Sequence, residues 1–312
     1  MVFPKLKIGN LVPKYPIIQG GMAIKISMAK LAAAVANEGG IGVIAGTALS
    51  VEESKNEIKK AKELTKGIVG VNIMYAASDF MEGVMASIEA GIDLIIYGAG
   101  FSRDIFEVGK EKNVPIVPIV SSLKLAKIAE KLGAAAIVVE GGNAGGHLGT
   151  DQDSWDIVKE IKENVKIPVI GAGGVATPED VKRMFDLGLD GVQIGTRFAA
   201  TDECEIAQEY KDLLVNKGSA DVVTIMSSAG LPANAIRTEF SQKVLDDKAP
   251  LPKACHNCLK FCTRKFCVND ALRKGHEGDL VEGLFFTGRE LDKIKDIVPV
   301  KEVFRRIVEY EG

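Results

Sequence analysis

Eight short runs of β-branched and other apolar residues recur along the first 200 positions, and that count constrains the fold more than any other feature of the chain. The runs are PIIQG (16–20), IGVIAG (41–46), IVGVNIM (68–74), DLIIYGAG (93–100), VPIVPIV (114–120), AAIVVEGG (135–142), IPVIGAGG (167–174) and GVQIGT (191–196). Each is almost continuously apolar instead of alternating, the pattern of a strand buried on both faces. Stretches of helical periodicity separate most of them, such as MAKLAAAVANEGG, VEESKNEIKKAKELTKG and SSLKLAKIAEKLGA. Several end in glycine, which supplies the left-handed conformation that closes a helix. Eight βα units predict an α/β fold, a (β/α)8 TIM barrel; a doubly wound open sheet is the rival. Most glycine clusters (20–21, 98–100, 141–146, 171–174) follow a strand directly. A barrel gathers its active site at that end, so the clusters and the count of eight favour the closed form.

Beyond residue 200 the rhythm stops. ECEIAQEYKDLLVNKG has the pattern of an amphipathic helix; VVTIMSSAGLPANAIRTEF, the proline-bearing KAPLPKAC, a cysteine cluster and NDALRKGHEGDL follow, and VKEVFRRIVEYEG forms a last helix. The expected organisation is a barrel over 1–200, a smaller, mainly helical C-terminal appendage over 201–284 that covers the barrel mouth, and a segment 285–312 whose helix returns to the barrel wall as its eighth. A length of 312 residues, 46% hydrophobic and 26% charged, suits a barrel with an appendage and a sizeable core. The net charge of −3, from 39 Lys+Arg against 42 Asp+Glu, provides no basic surplus for nucleic acid or an anionic membrane. No stretch approaches the roughly 18 apolar residues of a membrane span, and MVFPKLKIGNLVPKYPIIQGG lacks a signal-like core. The expected setting is cytoplasmic, with a small-molecule substrate and a homodimer left open.

Two glycine-rich strand ends define a candidate anion site. GAGG (171–174) and IGTRF (194–198) end the last two strands, where barrels commonly bind phosphate through backbone N–H groups. Gly173 and Gly174 would let the backbone approach phosphate oxygens, and Gly195 and Thr196 would add main-chain N–H groups and a hydroxyl. Thr177 and Pro178 then start a helix as cap and first residue. Alternatively the glycines serve only tight turns; two such ends on adjacent final strands favour the cradle. At the same mouth, QGGM ends the first strand and VNI the third. Gly21 and Met22 would set bare backbone against a flat ring, and Asn72 offers an amide that donates and accepts. A phosphorylated planar heterocycle such as flavin mononucleotide (FMN) satisfies this description.

The stretches PIIQGGMA, GGIGVIAG, GVNI, VVEGGNAGGHLG, IPVIGAGGV and GVQIGTRF together resemble the nitronate monooxygenase (2-nitropropane dioxygenase) family and the related FMN-dependent enoyl-acyl-carrier-protein reductases, over about the first 200 residues. The resemblance implies an FMN-binding barrel closed by a smaller helical domain. It implies that Gly21, Met22, Ala23 and Asn72 contact the flavin, that Gly173, Gly174, Gly195 and Thr196 hold its phosphate, and that Glu140 and Gln193 lie within its reach. It also makes His147 the acid/base group beside the ring. Two positions depart from the family pattern. Asn143 precedes AGGH where relatives commonly carry Glu, and Glu160 stands where many carry a glutamine, either altering the flavin's surroundings or facing solvent.

Histidine exchanges protons near neutral pH, and the glycines around His147 expose its ring to a cofactor. Two mechanisms compete. In nitronate oxidation His147 orients the anionic nitronate or takes the α-proton of a neutral nitroalkane, an electron passes to FMN, and O2 completes the reaction to carbonyl compound and nitrite. In enoyl reduction NAD(P)H is the electron donor and His147 positions or protonates the developing enolate of an enoyl thioester. A flavin-free phosphate-binding barrel and a sensor without turnover remain as other classes. Lys25, Lys124 and Arg197 stand near the mouth in sequence but are expected at the surface. Cys255, Cys258, Cys262 and Cys267 are spaced C-x2-C-x3-C-x4-C, a set able to bind zinc or an iron–sulfur cluster. The helical character of LKFCTRKFCVNDALRKG favours packed thiols instead. Cys204 stands alone and is expected to be structural.

Overall fold

In the computed structural model, which describes residues 1–312, the eight expected strands close into a parallel barrel. They are β1 (Ile17–Gln19), β2 (Ile41–Ala45), β3 (Ile68–Met74), β4 (Leu94–Gly98), β5 (Ile116–Val120), β6 (Ile137–Glu140) and, after a two-residue strand β7 (Gly146–His147) outside the barrel, β8 (Val169–Ala172) and β9 (Gly191–Ile194). Closure runs through β9, whose Val192, Gln193 and Ile194 pair with Ile17, Ile18 and Gln19 of β1. Every strand position in β1, β2, β4 and β9 is buried. Alternate residues fill the interior, including Ile41 and Val43, Leu94 and Ile96, and Ile170 and Ala172, with Leu6 and Ile8 added from the N-terminal segment. The intervening strand residues, such as Ile44, Val71 and Ile95, pack on the helices. Burial on both faces explains why these strands read as unbroken apolar runs.

Helices α1 (Ala29–Asn37), α2 (Val51–Leu64), α3 (Phe80–Glu89), α4 (Asp104–Lys112), α5 (Leu123–Lys131), α6 (Ser154–Asn164) and α7 (Pro178–Asp186) surround the barrel. Thr177 caps α7 by accepting from the Asp180 N–H, with Pro178 in the first position. After α1 and α5, Gly39 and Gly133 adopt the left-handed conformation at φ +93° and +88°. Gly67 after α2 does not; a side chain there would collide with the carbonyl of Ala36, so close packing selects the glycine. The last barrel strand leads into a single turn, α8 (Thr196–Ala199), and α9 (Gln208–Asn216) follows.

The chain from 201 to 284 carries a sheet as well as helices. A hairpin of β10 (Val222–Met226) and β11 (Pro232–Ile236) is followed by α10 (Glu239–Leu245) and α11 (Val268–His276). β11 also pairs antiparallel with β7, making a three-stranded sheet over the barrel mouth. Its core joins Val223, Ile225, Ala233 and Ala235 to Phe240, Phe266, Ala271 and Leu284. A final helix, α12 (Val300–Val308), packs against both α7 and α1 and so occupies the eighth position of the helical ring. No helix is long and apolar enough to cross a membrane.

The expected helix over the cysteine segment is not formed. Residues 255–266 are irregular, α11 begins only at Val268, and Cys267 is its N-cap residue. Asn257 and Arg264 adopt φ +49° and +57°, which a right-handed helix excludes. The segment bonds instead to distant loops, through Ser78 N–H to the Cys258 carbonyl (3.1 Å), Lys260 N–H to Ala76 (2.9 Å) and Thr263 N–H to Ser228 (2.8 Å).

Candidate active site

One cavity at the C-terminal ends of the strands is lined by every candidate site residue outside the cysteine segment. Gly21, Met22 and Ala23 follow β1, Asn72 sits on β3, Glu140 ends β6, and His147 lies on β7. Gly173 and Gly174 follow β8, Gln193 is on β9, and Gly195 and Thr196 follow it. Gly21 packs so closely on Asn72 that any side chain would collide with it. The cover comes from Val268 and Leu272 of α11 and from Phe286, Thr287 and Gly288. These last three were missed from sequence. The break of FFTGRE in an otherwise helical C-terminal region was the available signal.

One end of the cavity is lined by hydrogen-bond donors without partners in the chain. Gly173 and Gly174 have φ +91° and +75°, and the main-chain N–H groups of Gly173, Gly174 and Gly195 make no bond within the chain. Gly288 N–H donates to Thr196 Oγ1 (3.0 Å), which leaves the hydroxyl proton free for a ligand. A side chain on Gly195 would have only Met22 Sδ nearby, at 3.7 Å, so it would project into the cavity. Toward the other end, Gln193 is buried and its Oε1 has no partner, an acceptor that calls for a ligand N–H. This combination fits FMN: N–H groups and a hydroxyl for the phosphate, flat backbone at Gly21, and amides at Asn72 and Gln193 for the ring edge.

The loop carrying His147 is held from both sides. Gly141 N–H donates to Ser154 Oγ (3.1 Å), and Asn143 accepts from Ser154 N–H (3.1 Å) while donating to Asp153 (3.0 Å). Asn143 thus ties the loop to the start of α6. From the appendage, buried Asn234 donates to the carbonyls of both Gly142 and Ala144, each at 2.8 Å, and Arg289 N–H bonds to the Asn143 carbonyl (3.0 Å). His147 itself pairs with Ala233 across β7 and β11. Its Nε2 lies 2.8 Å from Ser227 Oγ, and its ring meets Phe286 edge-on at 5.3 Å.

Burial pushes His147 down to about 4, so it is neutral near pH 7. Burial pushes Glu140 up to about 8; its side chain faces the cavity, makes no hydrogen bond within the chain, and keeps its proton near neutrality. Glu140 is the one carboxyl in a lining without Lys, Arg or Asp. The cavity wall is therefore uncharged.

The remaining residues of interest lie elsewhere. Glu160 is exposed on α6, away from the cavity. Lys25 pairs with Glu53 at the surface and Lys124 is exposed. Arg197, expected at the surface, is buried; it donates to Asp296 Oδ1 (2.9 Å) and to the Asp296 and Ala200 carbonyls, which anchors the C-terminal segment. Cys204 is buried against the Ile26 carbonyl. Cys255 is exposed, Cys258, Cys262 and Cys267 are half-buried, and no three His, Cys, Asp or Glu side chains are gathered to hold a metal ion. The half-buried thiols are not packed in a hydrophobic core.

Comparison with known proteins agrees with this geometry. The chain is 31% identical to FabK from Thermotoga maritima, with a TM-score of 0.87, covering 95% of this chain and 92% of that one. It is 29% identical over 302 residues to a probable nitronate monooxygenase of Staphylococcus aureus (strain JH9), covering 82% of this chain and 85% of the relative. It is also 29% identical over 276 residues to (3aS,4S,5R,7aS)-5-hydroxy-7a-methyl-1-oxo-octahydro-1H-indene-4-carboxyl-CoA dehydrogenase of Mycobacterium tuberculosis (strain ATCC 25618 / H37Rv), covering 86% and 78%. The family model described as nitronate monooxygenase matches residues 5–310, and the chain belongs to that family.

Proposed function

We propose that the protein is an FMN-dependent oxidoreductase that oxidises small planar anions, alkyl nitronates, with O2 to a carbonyl compound and nitrite. The observation that supports this most is the meeting, around one cavity, of an N–H-lined anion cradle, the unpartnered Gln193 Oε1 and a neutral imidazole. FMN, when bound, supplies the acceptance and return of electrons. The chain supplies the rest. Gly173, Gly174, Gly195 and Thr196 hold the phosphate, and Gln193 and Asn72 orient the ring. With Glu140 protonated, no fixed negative charge repels an anionic substrate. His147 holds a substrate oxygen by hydrogen bonding instead of by charge, and Val268, Leu272 and Phe286 exclude water above it.

A second reading, NAD(P)H-dependent reduction of an enoyl thioester, is supported by the likeness to FabK over 95% of the chain and by the relative named for a carboxyl-CoA compound. A visible spectrum taken anaerobically separates the two. The expected result is oxidised-flavin absorbance that propyl-2-nitronate bleaches without NADH. Bleaching by NADH or NADPH, reversed by a crotonyl thioester, would replace it with the reductase. A colourless protein refutes both and leaves a flavin-free phosphate-binding barrel.

A further inference from the structure

We propose that Ser227 fixes the proton of His147 on Nδ1, so that His147 meets its substrate as a hydrogen-bond donor to an oxyanion and not as a base toward a neutral carbon acid. The inference deepens the proposed function and rests on it only for the identity of the substrate. Ser227 stands where β10 turns into β11, a turn closed by its own N–H to the Leu231 carbonyl (2.9 Å) and by Gly230 N–H to its carbonyl (2.9 Å). It is 1% exposed. Its Oγ accepts the Ala229 N–H (3.2 Å) and lies 2.8 Å from His147 Nε2.

The chain offers the Ser227 hydroxyl proton no acceptor other than Nε2. Donation from Ser227 to Nε2 satisfies both groups. The reverse, Nε2–H donating into Oγ, would strand a buried hydroxyl proton, which disfavours that tautomer by on the order of tenfold or more. A half-turn of the ring about χ2 would put a carbon in place of Nε2 and break the bond to Ser227, so the Ser227 contact itself holds the ring orientation. Nδ1 receives no bond from the chain and is not sealed from the cavity that His147 lines. The group presented to a ligand is therefore Nδ1–H. The lone pair needed to take an α-proton sits on Nε2, already engaged by Ser227. The matching substrate class is one that arrives already deprotonated, such as a nitronate, or one whose carbonyl oxygen gathers charge during reaction. Ser227 is a positioning residue for it.

The test is NMR of protein labelled with 15N-histidine. The three histidines, His147, His256 and His276, are assigned by a His147→Gln variant. Two-bond 15N–1H correlations are expected to show a protonated Nδ1 and a bare Nε2 for His147. Ser227→Ala should shift the population toward Nε2–H by about tenfold or more, and Ser227→Thr, which keeps the hydroxyl, should restore it. Unchanged His256 and His276 signals report an intact fold. In turnover, the wild type should accept propyl-2-nitronate and not neutral 2-nitropropane, and Ser227→Ala should lower kcat/KM with rescue by threonine. An Nε2–H tautomer in the wild type overturns the proposal, as does a tautomer that ignores Ser227→Ala. If Ser227→Ala does not fold, the wild-type spectrum decides alone. Because the tautomer is read without turnover, a correct tautomer in a protein inert to nitronates would fault the proposed reaction and leave the assignment of Ser227 standing.

Discussion

Replacing Glu140 with glutamine is expected to stabilise the ligand-free protein, and to do so increasingly as pH rises. The Glu140 carboxyl titrates near 8 in the folded chain, against an ordinary 4.5. Between those values the unfolded chain is ionised while the folded chain keeps its proton. The folded state therefore binds more protons, and stability falls with rising pH across the window and levels off above it. Taken in full, at about 1.4 kcal/mol for each pH unit, the difference would approach ~5 kcal/mol. The side chain faces a cavity that admits water in the ligand-free protein, and this screening reduces the expected effect to about 1–3 kcal/mol. Glutamine keeps the shape and polarity and removes the titration. Urea denaturation at pH 5 and pH 8.5 measures it: the wild type should lose about 1–3 kcal/mol more than the variant between the two. His147, lowered to about 4, is responsible for a separate loss as pH falls from 6.5, and that loss is common to both proteins. Parallel pH curves for the two proteins would refute the reasoning.

Gly195→Ala should lose bound flavin, because a side chain there projects into the cavity beside Met22 Sδ; a yellow preparation with full flavin content would contradict this. Asn234→Ala removes two 2.8 Å bonds to buried carbonyls and an acceptor for Thr224 Oγ1 (2.7 Å), so a loss of about 2–4 kcal/mol in denaturant and faster hydrogen exchange through residues 141–149 are expected. His147→Ala should retain the visible spectrum while turnover drops on the order of 10²-fold or more in steady-state assays; unchanged turnover would remove His147 from the reaction.

The contrast between what could and could not be read from sequence follows from the range of the interactions involved. Each barrel strand is buried by its own apolar run, such as IGVIA over 41–45, so the period alone identifies it. Gly173 and Gly195 follow from their place at strand ends, because a parallel barrel brings all such ends to one mouth, whereas Gln193 was indicated only by the family resemblance. β7 is only Gly146–His147, and it is a strand solely because Ala233 and Asn234 lie beside it. No local pattern carries that pairing, and VVTIM, apolar at four of its five positions, does not show in sequence the alternating burial that β10 has in the structure. The cysteine segment shows the opposite failure: the helical character of LKFCTRKFCVNDALRKG suggested a helix, and backbone bonds to residues 76, 78 and 228 outweighed it. The same distinction applies at the site. Local sequence could place a histidine over the cavity, whereas the tautomer it presents depends on Ser227, 80 residues away. The proposed chemistry at this cavity thus divides between barrel strand ends that line it and an appendage whose Ser227 sets which nitrogen of His147 carries the proton.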